Sequence, residues 1–119
     1  MRPGDAEALA ELAAALGPGA QLIGLDVGTK TIGVAVSDGT RRIATALRTL
    51  RRGKRFGGDA DALVALVAGR EIGGWIVGLP VEMSGREGPR ADSARAFARN
   101  FARRTGARLA IDNTFTTPR

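Results

Sequence analysis

The chain has no cysteine and no histidine among its 119 residues. Without cysteine there is no disulfide framework, thiolate zinc site or cysteine nucleophile. Without histidine there is no Ser-His-Asp triad and no imidazole ligand or general base. Chemistry is left to carboxylates, hydroxyls, Lys, Arg, backbone groups or a bound ion. No apolar run approaches the roughly 20 residues that span a bilayer, and the N-terminus lacks a basic stretch followed by an apolar signal core. These absences predict a cytoplasmic protein with no membrane partner. The length allows one core rather than several enzymatic domains.

Charge is present and unevenly placed. Residues 1–50 carry five basic and five acidic side chains, so the net charge of +6 belongs to residues 51–119. Sixteen of the eighteen basic residues are arginine, which pairs bidentately with phosphate and stacks on bases. A basic second half in a chain whose pI is near 11.4 favours nucleic acid as partner over a membrane, since no Lys/Arg helix with bulky apolar anchors accompanies it. No oligomeric state is specified by these features.

Periodicity orders the chain. Residues 5–16 read as a helix with acids in its first turns and an apolar stripe of Leu9, Leu12 and Leu16, stopped by Gly17-Pro18-Gly19. Residues 22–27 form a short apolar run ending in a carboxylate, which predicts a buried strand. Ile32, Val34 and Val36 alternate with small residues in a second strand, paired with the first across Gly28-Thr29-Lys30. A third strand is expected over residues 43–50. Residues 51–58 read as a basic, glycine-rich loop with Phe56 as a candidate base-stacking ring. A helix is expected over residues 59–69 with Asp59 as its N-cap, then a strand over residues 75–79. The second long helix, residues 89–105, opens on Pro89. It places Ala94, Phe97, Ala98 and Phe101 on one side and a ridge of Arg95, Arg99 and Arg103 on the other. A last strand over residues 108–112 turns Leu109 and Ile111 to one face and Asp112 to the opposite one. Trp75 and Phe97 are expected in the core. The predicted fold class is α/β, a mixed sheet covered by helices: a three-strand meander followed by helix, strand, helix, strand.

The most specific motif runs over residues 24–38, GLDVGTKTIGVAVSD. A carboxylate at the end of a buried strand is costly unless a cation or hydrogen bonds compensate it. Asp26 is therefore a candidate ligand for a divalent metal, with Lys30 or the turn amides holding an anionic oxygen. The alternative is a turn aspartate bonded to its own hairpin amides. Lys30, Arg51, Arg52, Lys54 and Arg55, with the Arg95, Arg99 and Arg103 ridge, are the candidate nucleic-acid-binding residues. Glu82 and Glu87 flank Gly85 in a loop and are further candidate ligands.

That motif, the run over residues 76–89 (IVGLPVEMSGREGP) and the ending Asp112-Asn113-Thr114-Phe115-Thr116-Thr117 resemble the YqgF/RuvX family in order and spacing. The resemblance covers residues 21–117 and implies a ribonuclease H-like domain over residues 21–119, preceded by an N-terminal helical extension, residues 1–20. It implies a nuclease, related to Holliday junction resolvases, that processes the 5′ end of pre-16S ribosomal RNA with Mg²⁺ or Mn²⁺. The family's first-strand acid falls on Asp26 and its later acid on Asp112, both then catalytic and metal-binding. The family's next two positions are Glu and Arg, where this sequence has Asn113 and Thr114. The family continues into a C-terminal helix with another acid, so the fold expected for these 119 residues lacks that helix. The helix over residues 5–16, or the same helix of a second chain, is available to pack on the sheet face so exposed, bringing Glu7 or Glu11; the plainer alternative is an accessory helix outside the site. Two other functions compete with the nuclease. One is a catalytically impaired or truncated nucleic-acid-binding module of the same fold. The other is an actin-like kinase, against which the length argues because such enzymes enclose a nucleotide between two domains.

Overall fold

The computed structural model describes residues 12, 17, 19–37, 44–79 and 88–112. Five strands, β1 (Gln21–Val27), β2 (Thr31–Ser37), β3 (Ala44–Arg51), β4 (Ile72–Gly78) and β5 (Leu109–Asp112), alternate at the end with two helices, α1 (Phe56–Leu66) and α2 (Pro89–Thr105). They form one mixed sheet in the order β3-β2-β1-β4-β5. Strands β1, β2 and β3 pair antiparallel, as short connections permit, whereas β4 joins β1 and β5 joins β4 in parallel through the two helical crossovers. This is the ribonuclease H-like arrangement predicted from the sequence.

Strand alternation divides the side chains between two layers. Ile23, Leu25, Val27, Ile32, Val34, Trp75, Val77 and Leu109 point to the layer that holds both helices, against Leu63 of α1 and Phe97 and Phe101 of α2. Alanines 91, 94 and 98 are buried on the inner side of α2. Trp75 and Phe101 meet with ring centroids 4.7 Å apart, and Phe97 stacks on Phe101 at 6.1 Å, confirming Trp75 and Phe97 as core. Phe101 is fully buried, and truncating such a phenylalanine costs about 3–5 kcal/mol. On the opposite face Leu12 is buried with Leu22, Ile76 and Ala110, so an N-terminal residue covers the centre of the sheet.

Several local readings are corrected: β4 spans Ile72–Gly78 rather than residues 75–79, and α1 ends at Leu66 rather than at residue 69. Helix α1 begins at Phe56 rather than Asp59, with Arg55 as N-cap making no side-chain cap bond. Asp59 instead sits in the first turn and accepts a 2.7 Å hydrogen bond from the Gly53 amide, so its carboxylate caps the loop before the helix. Phe56 is half-buried, edge-on to Phe97 at 5.1 Å; it is a lid on the core, not a free stacking ring. Helix α2 behaves as predicted. Pro89 lies in its first turn, and Gly106 ends it at φ +72°, donating its amide to the Ala102 carbonyl at 2.8 Å. Strand β3 is offset by one residue from expectation, and Ile43 lies outside the described residues, as does most of the 5–16 segment.

Candidate metal and nucleic-acid site

The sheet register assembles the carboxylates. Leu25 of β1 pairs with Val77 of β4, and Gly78 pairs with Asp112 of β5. One step beyond Leu25 and Val77, Asp26 therefore stands beside Gly78, and Asp26, Gly78 and Asp112 form one row across three parallel strands. Neighbours in such a row share a face, and both acids emerge on the face of Leu22, Ile76 and Ala110, away from the helices. Two strand spacings put their Cα atoms about 10 Å apart. The position between them is a glycine, so no side chain of this row separates the carboxylates. On the other side of Asp26, the β2 partner is Gly33. Both acids are half-buried.

Turn chemistry places the cations. The Gly28 amide donates to the Thr31 carbonyl at 2.9 Å, closing the β1–β2 turn directly after Asp26. A Cβ at Gly28 would come within 3.1 Å of that carbonyl oxygen, so the close approach favours glycine. Lys30 is exposed at the rim of this turn. Strand β3 runs in the same direction as β1 and ends at the same edge, where Arg51 pairs with Thr31. Arg51, Lys54 and Arg55 are all exposed there.

Arg52 is placed differently. Its guanidinium donates through Nη1 to the Gly28 carbonyl at 2.9 Å and forms an ion pair with Asp59 at 3.5 Å. The same group lies 5.5 Å from the centroid of Phe97. The α2 ridge is separated from the carboxylates as well. Helix α2 packs on the opposite face of the sheet and runs back from the β4 end toward the start of β5. At 1.5 Å per residue, Arg103 lies about 21 Å from the helix start. Arg99 and Arg103 are exposed and Arg95 is half-buried. The structure thus brings Asp26, Asp112, Lys30, Arg51, Lys54 and Arg55 to one edge, and leaves the ridge elsewhere.

Gly78 was the missed site residue. Its signal lay in the sequence, since a glycine between Val77 and Leu79 in an apolar strand marks a close approach, but only the register shows what approaches. Arg52 and Asp59, seven residues apart, carry no sequence signal that pairs them. Glu7, Glu11, Glu82, Glu87, Asn113 and Thr114 lie outside the described residues. Among the described residues no group of three or more His, Cys, Asp or Glu side chains comes together. The candidate donors among the described residues are two hard carboxylates, a chemistry compatible with an oxygen-loving ion such as Mg²⁺ or Mn²⁺ that keeps several waters. No helix among the described residues is long and apolar enough to cross a membrane.

A five-stranded ribonuclease H-like sheet with candidate acids at the carboxyl ends of the central strand β1 and the outer strand β5 is the architecture of a class of nucleic-acid-processing domain. A family model described as "RuvX: Holliday junction resolvase" matches residues 20–118, and the chain belongs to this YqgF/RuvX family. A relative from Ruegeria pomeroyi is 60% identical over 99 residues, covering 83% of this chain and 64% of its own length. One from Jannaschia sp. is 58% identical over 98 residues, covering 82% and 61%. One from Rhodopseudomonas palustris is 62% identical over 84 residues, covering 71% and 52%. Each carries the name "Putative pre-16S rRNA nuclease". The match spans between about half and two thirds of the length of these curated relatives.

Proposed function

We propose that this chain forms the catalytic core of a metal-dependent nuclease that hydrolyses phosphodiester bonds in structured RNA, with the 5′ end of pre-16S rRNA in the cytoplasm as its substrate. The observation that carries this reading is the Asp26–Gly78–Asp112 row. Asp26 and Asp112 would hold Mg²⁺ or Mn²⁺ from one face of the sheet. A bound divalent ion supplies Lewis-acid stabilisation of charge on the attacking and leaving oxygens of the phosphodiester. Lys30 neutralises a phosphate oxygen beside the ion. Arg51, Lys54 and Arg55 hold the flanking backbone, fixing the register of the strand without reading its bases. The relatives' printed names and the basic charge of residues 51–119 support the choice of RNA.

A second reading, a binding module without cleavage, is favoured by Asn113 standing where the family has Glu. One experiment separates the two. Labelled precursor-rRNA-like substrate and a four-way DNA junction are incubated with the protein or its Asp26→Asn variant in Mg²⁺ or Mn²⁺, and binding is followed against salt. The nuclease reading expects cleavage by the unmodified protein alone. Binding by both without cleavage assigns the chain to the second reading, and preferential cutting of the junction replaces RNA with DNA as substrate.

A further inference from the structure

Arg51 and Arg52 are adjacent, identical in type and equally basic, yet the fold uses them in opposite ways. Arg51 is exposed at the end of β3, while the Arg52 side chain is only 27% exposed and its partner Asp59 only 8%. Arg52 grips the β1–β2 turn at both ends. Its backbone amide donates to the Lys30 carbonyl at 2.8 Å, and its guanidinium donates to the Gly28 carbonyl at 2.9 Å. The guanidinium is itself held from behind by Asp59 and by the Phe97 ring. Asp59 is held in turn, since its other carboxylate oxygen accepts from the Gly53 amide at 2.7 Å. A path of direct contacts therefore runs from α2 and α1 through Arg52 to the turn that joins Asp26 to Lys30.

We propose that Arg52 is a positioning residue rather than a phosphate contact. Clamped by Asp59 and Phe97, it fixes the turn of residues 28–30 so that the Asp26 carboxylate and the Lys30 ammonium face the same scissile phosphate. Only a planar fork can donate to a carbonyl and a carboxylate at once while stacking on a ring. A lysine at this position keeps the charge and loses that geometry. Outer partners of this kind typically contribute 10–100-fold to metal affinity or activity.

The proposal rests on the nuclease reading only for its cleavage measurement, and two other measurements decide it independently. Amide exchange is followed in the unmodified protein, Arg52→Lys, Arg52→Gln and Asp59→Asn. A local clamp predicts faster exchange at the Gly28 and Arg52 amides, which donate to the Thr31 and Lys30 carbonyls, in all three variants, with Leu25 and Val77 unchanged. A purely global role would speed core and turn alike. RNA binding is then measured against salt concentration. A phosphate contact at Arg52 would lower the log–log slope by about 0.7–0.9 in Arg52→Gln; a positioning residue leaves the slope unchanged. Where cleavage is present, kcat falls 10–100-fold in Arg52→Lys with KM within about threefold. Asp59→Asn retains an acceptor for Gly53 and leaves the Arg52 guanidinium in place, and shows a smaller loss in the same direction. A lowered salt slope in Arg52→Gln, or unchanged turn exchange in Asp59→Asn and Arg52→Lys, overturns the proposal. Absence of cleavage by the unmodified protein overturns the nuclease reading and leaves the clamp to be decided by exchange and slope.

Discussion

The contact between Leu12 and Gly74 makes a sharp stability prediction. Leu12 has no exposed surface, and a Cβ built on Gly74 would stand 2.6 Å from its Cδ1 and 3.0 Å from Cδ2 and Cγ. Ordinary carbon contacts lie at about 3.5–4.0 Å, so the methyl of Gly74→Ala overlaps the leucine by roughly 1 Å in a fully packed place. Overpacking of this size costs about 1–3 kcal/mol. Leu12→Ala removes a buried side chain and costs about 2–5 kcal/mol. The three atoms that the new methyl would strike are the three that Leu12→Ala deletes. The double variant should therefore be more stable than the sum of the singles by about 1–3 kcal/mol, a coupling expected only of residues in direct contact. The assay is urea unfolding of all four proteins, comparing midpoints at a common m value. If the two effects add to within about 0.5 kcal/mol, Leu12 does not pack on Gly74 and the reasoning fails.

The remaining predictions concern the site and the surface. Gly78→Val places a branched side chain between Asp26 and Asp112 and should reduce Mn²⁺ affinity, measured by electron paramagnetic resonance, at least about tenfold; undiminished affinity would show that the two acids do not share an ion. Lys54→Ala with Arg55→Ala should lower the salt slope of RNA binding by about 1.4–1.8. Arg99→Ala with Arg103→Ala should leave the KM for cleavage within about twofold, because α2 packs on the sheet face opposite the two acids; the opposite ranking would relocate the RNA path to α2. The Arg104–Asp61 ion pair, at 3.2 Å with side chains 48% and 70% exposed, should contribute less than about 1 kcal/mol in a double-mutant cycle.

Much of the fold was legible because it depends on short-range patterning. Alternation in residues 31–37 specified the β2 face, and the apolar run before Asp26 specified a strand buried on both sides. In β5 the same alternation set Asp112 opposite Leu109 and Ile111. The start of α1 was not legible, because Gly57 and Gly58 read as loop while the helix is initiated by Phe56 docking on Phe97, a residue 41 positions later. Long-range packing overrides local propensity there. The division of labour between Arg51 and Arg52 was hidden for a similar reason. Adjacent residues on a strand end point apart, but which one meets Asp59 depends on the register of β3 against β2.

Register is also what makes the candidate site specific. A one-residue slip of β5 against β4 would turn Asp112 to the helix side and leave Asp26 facing an apolar row. The slip is opposed by side chains that take no part in the chemistry. Trp75 and Val77 on β4, with Leu109 and Ile111 on β5, all point into the helix layer, where Phe97 and Phe101 receive them. Shifting β5 by one would withdraw Leu109 from that layer and bury Arg108 or Asp112 in its place, at the cost of an unpaired charge in an apolar core. The hydrophobic alternation that builds the core thus also places both acids on one face. Glycine at position 78 then leaves their row open between them. Any substitution that loosens the Trp75–Phe101 contact should consequently weaken the proposed metal binding at Asp112 before it unfolds the protein, since β5 is only four residues long and, among the described residues, pairs with β4 alone.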